Sequence, residues 1–183
     1  MRPWKRVRQG EDHDFRIFRV REDQVEDPRN GALHPRVHVE APDWVNIIPV
    51  TGGGELVLVR QFRFGTWAPT LEIPGGMVEP GEDPGAAATR ELEEETGYRP
   101  AEVLPLGFVH PNPAFQANRC HSFLALGCER VHGGRPDAGE DIRVELRRRE
   151  EIARLIHDGE ITHSLVVAAF HLESLTRSFG EPR

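Results

Sequence analysis

Lysine is almost missing from this chain: of its 23 basic residues only Lys5 is not an arginine. Set against 30 acidic residues, these leave a net charge of −7. The clustered positive charge that releases counterions from a nucleic-acid backbone is therefore lacking, so no nucleic-acid partner is expected, and a polyphosphate ligand would need a cation to offset its charge. Cysteine is scarce as well. Cys120 and Cys128 are the only two; they fit no metal spacing and, on one strand, stand too far apart to bond to each other. They read as core thiols of a reducing compartment. No apolar run approaches the ~18 residues of a membrane span, and the basic start, Met1 to Gly10, has no apolar segment behind it. The expectation is a soluble, cytoplasmic protein without a membrane partner. No internal repeat is present. No histidine pair has a helical His-x-x-x-His spacing, so His110, His121 and His163 read as ordinary structural or surface residues.

What the chain does contain is enough for one domain with a core: 183 residues, 38% hydrophobic. Apolar and charged residues alternate from Phe15 to Val20 and over Val37-His38-Val39-Glu40, as on half-exposed strands. Glu26 to Pro35 is a turn-rich connection between them. Val45 to Val50 and Leu56 to Val59 are apolar runs around Thr51-Gly52-Gly53-Gly54, which predicts a hairpin of buried strands. Leu71-Glu72-Ile73-Pro74 is a short strand leading into Gly75-Gly76. Asp83 as cap, Pro84 in the first turn, Ala86 to Ala88 and Gly97 as a left-handed stop bound a helix. Val103 to Val109 and His121 to Leu126 are further strands around a Pro-rich loop, His110 to Asn118. An acidic loop, Gly133 to Asp141, precedes a strand near Ile142 to Leu146, and helices about Glu150 to His157 and Ser164 to Ser178 follow. Strands on both sides of a central helix predict an α/β sandwich.

The capped helix carries Glu91, Glu94 and Glu95, three and four residues apart and so able to share a face. Alone, such a run is usually a solvated acidic surface. Here it is phased with Gly76, Glu82, Arg90 and Gly97, a glycine turn followed by closely spaced carboxylates, which is a way to hold a hard divalent cation against a diphosphate.

Gly76, five residues, Glu82, seven residues, Arg90-Glu91-Leu92-Glu93-Glu94-Glu95-Thr96-Gly97-Tyr98 resembles, at every fixed position, the 23-residue signature of the Nudix hydrolases. Chance would supply such a match on the order of once in 10⁹ starting positions. The resemblance implies a Nudix fold, an α/β/α sandwich with a mixed β-sheet, and a catalytic domain over residues 41–183. A small N-terminal β-extension, residues 1–40, resembles the segment that relatives use to build a homodimer. It implies Mg²⁺, or Mn²⁺, held by Glu91, Glu94 and Glu95 with the carbonyl of Gly75. Arg90 bonding back to Glu82 would orient the loop without supplying a ligand.

Leu58-Val59-Arg60-Gln61-Phe62-Arg63, Leu71 to Gly76 and Pro113, sixteen residues after Gly97, resemble the branch that splits ADP-ribose and nucleoside diphosphate sugars. That branch implies a base from a late acidic loop, here Glu140, with Asp141 and Asp137 behind it and Glu94 on the helix. Asn118 and Ala138 stand where some relatives have carboxylates. Arg63 and Arg60 have the fork to hold phosphates, or else pair as surface ions at a strand end. Glu72 can accept from a base or ribose. Trp44, Trp67 and Phe115 can stack on a nucleobase, or pack in a core or dimer. The expected activity is hydrolysis of ADP-ribose or a similar nucleoside diphosphate sugar to a nucleoside monophosphate and a sugar phosphate. The alternatives are hydrolysis of nucleoside triphosphates, dinucleoside polyphosphates or RNA 5′ ends, and a non-catalytic nucleotide-sugar sensor.

Overall fold

In the computed structural model, which describes residues 1–135, 139 and 141–179, the backbone falls into two units. One comprises Met1–Pro42 with His110–Arg119, the other Asp43–Val109 with Cys120–Arg183.

The first unit is a small antiparallel sheet. Its strands are β1 (Lys5–Arg8), β2 (His13–Asp14), β3 (Arg19–Glu26) and β4 (Leu33–Glu40). β3 pairs with all three others. One strand is added here and one expectation corrected. The basic start contributes β1, a strand that its lack of alternating apolar residues hides. Phe15 to Phe18, expected as strand, is a turn. The Asp14 carboxylate accepts the Arg16 N–H at 2.7 Å, Arg16 takes a left-handed φ of 71°, and Phe15 N–H bonds Phe18 O. Local side-chain bonding to the backbone has overridden the alternation. The Pro-rich loop joins this unit through Val39 N–H donating to Phe115 O, and Asn118 Nδ2 donates to Pro42 O at 3.0 Å.

The second unit is built on a mixed sheet. Its elements are β5 (Trp44–Thr51), β6 (Glu55–Arg63), β7 (Ala68–Glu72), β8 (Gly75–Met77), α1 (Pro84–Thr96), β9 (Tyr98–Arg99), β10 (Glu102–Val109), β11 (Cys120–Arg130), β12 (Ile142–Arg148), α2 (Ile152–His157) and α3 (Ser164–Phe179). The strand path runs β10-β11-β5-β6-β12, with β7 beside β6, β8 beside β5 and β9 beside β11. Among the described residues of this unit, only the β5–β11 pairing is parallel. β5 and β6 do follow one another around the glycine turn, but they pair only at Val50 and Leu56 before diverging to different neighbours.

The continuous apolar runs of these strands reflect burial on both faces. On β5, Val45 and Ile47 face Ala87, Ala88 and Leu92 of α1, whereas Ile48 joins Ile152, Ile161, Val166 and Ala169 on the α2–α3 side. β6 divides likewise: Val57 goes to the α1 side, Leu56 and Leu58 to the other. The result is the α/β/α sandwich read from the sequence. Cys120 and Cys128 lie buried and unbridged on β11, and burial pushes their thiols up to about 12 and about 11. No helix among the described residues is long and apolar enough to cross a membrane.

Helix α1 begins and ends where the sequence says. Asp83 accepts from the N–H groups of Gly85 and Ala86. Gly97 closes the helix at φ 74°, and a Cβ there would lie 2.2 Å from His132 O, so no other residue fits. Removing the cap by Asp83→Ala should cost about 1 kcal/mol. Thermal unfolding should show Tm lower by ~2–4 °C with the transition still cooperative.

Candidate active site

Three chain segments meet at the first turns of the site. β8 runs antiparallel to the start of β5, with Val45 opposite Gly76 and Asn46 opposite Gly75. This pairing seats the glycine turn against α1. A Cβ on Gly75 would meet Val45 O at 2.4 Å, and one on Gly76 would lie 2.3 Å from the Glu91 carboxylate. Glycine is required at Gly75, where backbone meets backbone, and at Gly76 it leaves room for the Glu91 carboxylate where that group stands.

Arg90 ties the turn to the helix. Its Nε and Nη2 bond the two oxygens of Glu82 at 2.9 and 3.0 Å, Nη1 reaches Glu91 at 2.9 Å and Glu94 at 3.0 Å, and Nη2 also donates to Met77 O at 3.1 Å. Glu82 is held below the usual carboxylate range by the Arg90 bonds first and by the Glu79 N–H second. The same carboxylate contacts raise the pKa of Arg90. Glu95, buried at 4% exposure, turns its Oε2 to the Gly75 N–H at 3.3 Å.

The three helix carboxylates therefore stand around the glycine turn, with Glu91 and Glu94 turned to Arg90 and Glu95 to the backbone. In that arrangement no three His, Cys, Asp or Glu side chains among the described residues are set to enclose a metal ion. The donor set nonetheless fits a hard divalent cation: it is all oxygen and anionic, and it stands against a turn without Cβ atoms. A cation taking Glu91 and Glu94 would leave Arg90 its bidentate bond to Glu82 and its bond to Met77 O.

A cavity of about 240 Å³ opens beside Gly75 and Gly76, walled by Trp44, Ile73 and Val166 and carrying Asn46, Arg63, Glu72 and His163. Arg63 Nε and Nη2 clasp Glu72 at 2.8 and 2.7 Å, and Thr70 Oγ1 donates to the same carboxylate. Burial alone would raise the Glu72 pKa; the Arg63 and Thr70 hydrogen bonds outweigh it and hold the group below its ordinary value. Arg60 is bonded to Glu145 at 2.6 Å and Glu160 at 3.3 Å, so here it makes the ion pairs of a strand end.

A second cavity, of about 630 Å³, shares Arg63 and His163 with the first and is bordered by Asp141. Glu140, Asp137 and Ala138 fall outside the described residues. Pro113 and Phe115 belong to the first unit, in the loop that Val39 holds. Sequence reading took His163 as an ordinary structural or surface residue and did not single out Asn46. Nothing in their spacing marks His163; its place comes from capping α3, where its Nδ1 accepts the Leu165 N–H at 3.3 Å. Burial lowers its pKa. Asn46 donates to Leu165 O at 3.1 Å, and its Oδ1 is buried without a partner among the described residues. A polar residue inside the apolar run of β5 was its one available signal.

Residues 40–170 match the NUDIX domain model. The chain belongs to the Nudix family. It is 34% identical over 133 residues to an ADP-ribose pyrophosphatase of Bacillus subtilis (strain 168), covering 72% of each chain. To an ADP-ribose pyrophosphatase of Mycobacterium tuberculosis it is 31% identical over 176 residues, 93% of this chain and 84% of that one. A solved structure of an ADP compounds hydrolase superposes at a TM-score of 0.86 over 100% of this chain and 98% of its own, at 21% identity, which shows the shared fold. This Nudix chain is thus a hydrolase of the ADP-ribose pyrophosphatase-like kind, of a family whose members generally use divalent metal ions.

The Arg63–Glu72 clasp gives the fold a pH signature. A carboxylate whose folded pKa lies below its unfolded value of about 4.5 contributes stability that is present above 4.5 and lost as pH falls through the folded value. Denaturant unfolding between pH 6 and 3 should show wild type losing more stability than Glu72→Gln, whose amide does not titrate. Parallel curves for the two proteins would remove this pair as the source.

Proposed function

We propose that the enzyme is a Mg²⁺-dependent hydrolase that cuts the diphosphate bond of ADP-ribose or another nucleoside diphosphate sugar, giving a nucleoside monophosphate and a sugar phosphate. The observation carrying this reading is the glycine turn held against Glu91 and Glu95, with Glu94 joined to it through Arg90, at the edge of a cavity that presents Arg63. Two ADP-ribose pyrophosphatases among its relatives support the substrate class.

Glu91, Glu94 and Glu95 with the Gly75 carbonyl would hold the ion; Mn²⁺ suits the same oxygens. Bound there, the ion supplies charge neutralisation at phosphorus and a water of lowered pKa. Arg63 orients the diphosphate by donating to its oxygens in competition with Glu72. Attack of the water oxygen on one phosphorus breaks the P–O–P bridge, and the proton passes to a carboxylate of the late acidic loop, Glu140 first and Asp141 after it. Glu82 and Arg90 keep turn and helix in register throughout. Pro113 and Phe115 are assigned to substrate contacts on the loop of the first unit, and Arg60 to a supporting phosphate contact once its ion pairs open.

The N-terminal unit is assigned to dimerisation. It exposes Trp4, Val7, Phe15, Ile17, Leu33 and Val37, apolar side chains that a second copy would cover. Sedimentation at micromolar concentration should report twice the chain mass; a single-chain mass would contradict the assignment.

A panel of ADP-ribose and ADP-, GDP- and UDP-sugars with Mg²⁺ should yield the two phosphomonoesters in equal amounts and no inorganic pyrophosphate, with activity abolished by chelation. Glu95→Gln should lower kcat by about 100-fold or more while retaining the fold by circular dichroism. Unchanged turnover in that variant, or pyrophosphate among the products, would sink this reading.

A further inference from the structure

Glu94 and Glu95 sit in the last turn of α1, where a helix has least to hold it. The last carbonyls of a helix lack intrahelical donors, and an unsupported last turn frays. Glu93 O is served locally, by the Gly97 N–H at 2.8 Å. Other carbonyls at this end take their donors from the chain that leaves β11. β11 ends by pairing with β9, Glu129 opposite Arg99 and Arg130 opposite Tyr98, which carries residues 131–135 back along the end of α1. Val131 and His132 N–H groups both donate to Gly97 O, at 2.8 and 3.3 Å, and Arg135 N–H donates to Glu94 O at 2.6 Å.

One side chain folds that segment into place. His132 Nδ1 accepts the Gly134 N–H at 3.0 Å, a bond within the turn that brings the Arg135 N–H to the helix. An accepting Nδ1 assigns the ring proton to Nε2, which meets Glu93 Oε1 at 3.3 Å. Arg99 holds the same carboxylate, with Nε and Nη2 at 3.0 and 2.7 Å. A single imidazole thus spans a helix side chain and the backbone beyond β11, and one tautomer alone can do both.

We infer that His132 is a positioning residue for the metal carboxylates: by joining Glu93 to the Gly134 N–H it keeps residues 131–135 as an external cap on the last turn of α1, so that Glu94 and Glu95 hold their setting around the glycine turn. The inference rests on the assignment of the ion to Glu91, Glu94 and Glu95 made above, and adds what keeps two of them in helical register. Arg90 holds the Glu94 side chain; the cap holds its backbone.

Isosteres separate the two ring nitrogens. His132→Asn places an amide oxygen where Nδ1 stands and keeps an acceptor for Gly134, whereas His132→Gln places an amide nitrogen where Nε2 stands and keeps only the donor to Glu93. Mn²⁺ affinity by electron paramagnetic resonance should fall about 10-fold in His132→Gln and His132→Ala, as when a group behind a metal ligand is removed, and stay within about twofold of wild type in His132→Asn. In the metal-free protein, amide exchange at Arg135 should be slow in wild type and His132→Asn and about 5-fold faster in His132→Gln, the effect of one lost hydrogen bond. Nitrogen-15 shifts of the wild-type ring in alkaline buffer should report the proton on Nε2. A contact that only stiffened the fold would lower Tm in both isosteres alike and leave Mn²⁺ affinity unchanged. That outcome, equal Mn²⁺ losses in the two isosteres, or a proton on Nδ1 would overturn the inference. Wild type that bound no Mn²⁺ would overturn the metal assignment and the positioning role together, whereas a wild-type Arg135 amide exchanging as fast as in an unfolded peptide would overturn the cap alone. Neither readout involves hydrolysis, so the substrate reading can fail while the cap stands.

Discussion

The Arg90 guanidinium is the joint on which the site depends. Its five N–H donors are spread over Glu82, Glu91, Glu94 and the Met77 carbonyl. One residue thereby links the glycine turn, the approach to the helix and two of the three carboxylates on it. Three carboxylates within two helical turns repel one another. A planar, permanently charged fork opposes that repulsion inside the folded chain, and lysine, a point charge on a flexible stem, could not reach four partners at once. The near-absence of lysine from the whole chain makes the contrast easy to overlook; at this position the geometry demands arginine.

Around that joint the fold supplies rigidity by burial. β5 is covered by α1 on one face and by α2 and α3 on the other, so its backbone is fixed on both sides. β8 pairs with β5, and through it the glycine turn inherits that fixity. Close approach then decides residue type at Gly75, where any side chain would overlap β5, and at Gly76 a side chain would displace the Glu91 carboxylate. The same logic ends the helix at Gly97, where His132 O occupies the space a Cβ would need.

Much of this was legible in the sequence because it is local. Cap, first-turn proline, alanines and left-handed stop lie within α1 or next to it, and the Glu82–Arg90 bond joins residues of one motif. The α/β sandwich followed from strands on both sides of one central helix, and its α/β/α layering from the resemblance of the motif from Gly76 to Tyr98 to the Nudix signature. What the sequence concealed depends on distant segments. Arg63 and Glu72 meet across the β6–β7 pair, and only that pairing shows Glu72 to be clasped rather than open to a ligand. Asn46 and His163 come to the cavity through the packing of α3, more than a hundred residues from β5. The turn at Phe15 to Phe18 was misread because alternating hydrophobicity cannot register an Asp14 side chain bonding the backbone two residues on.

The central claim is that Glu82 and Arg90 act as one unit in shaping the carboxylate set. Its most direct test is Mn²⁺ affinity by electron paramagnetic resonance in wild type, Glu82→Gln, Arg90→Gln and the double variant. If the pair is a single joint, the double variant binds Mn²⁺ no more weakly than Arg90→Gln alone, because breaking the bond once removes all it does. Losses that add in the double variant, or affinities equal to wild type throughout, would contradict it.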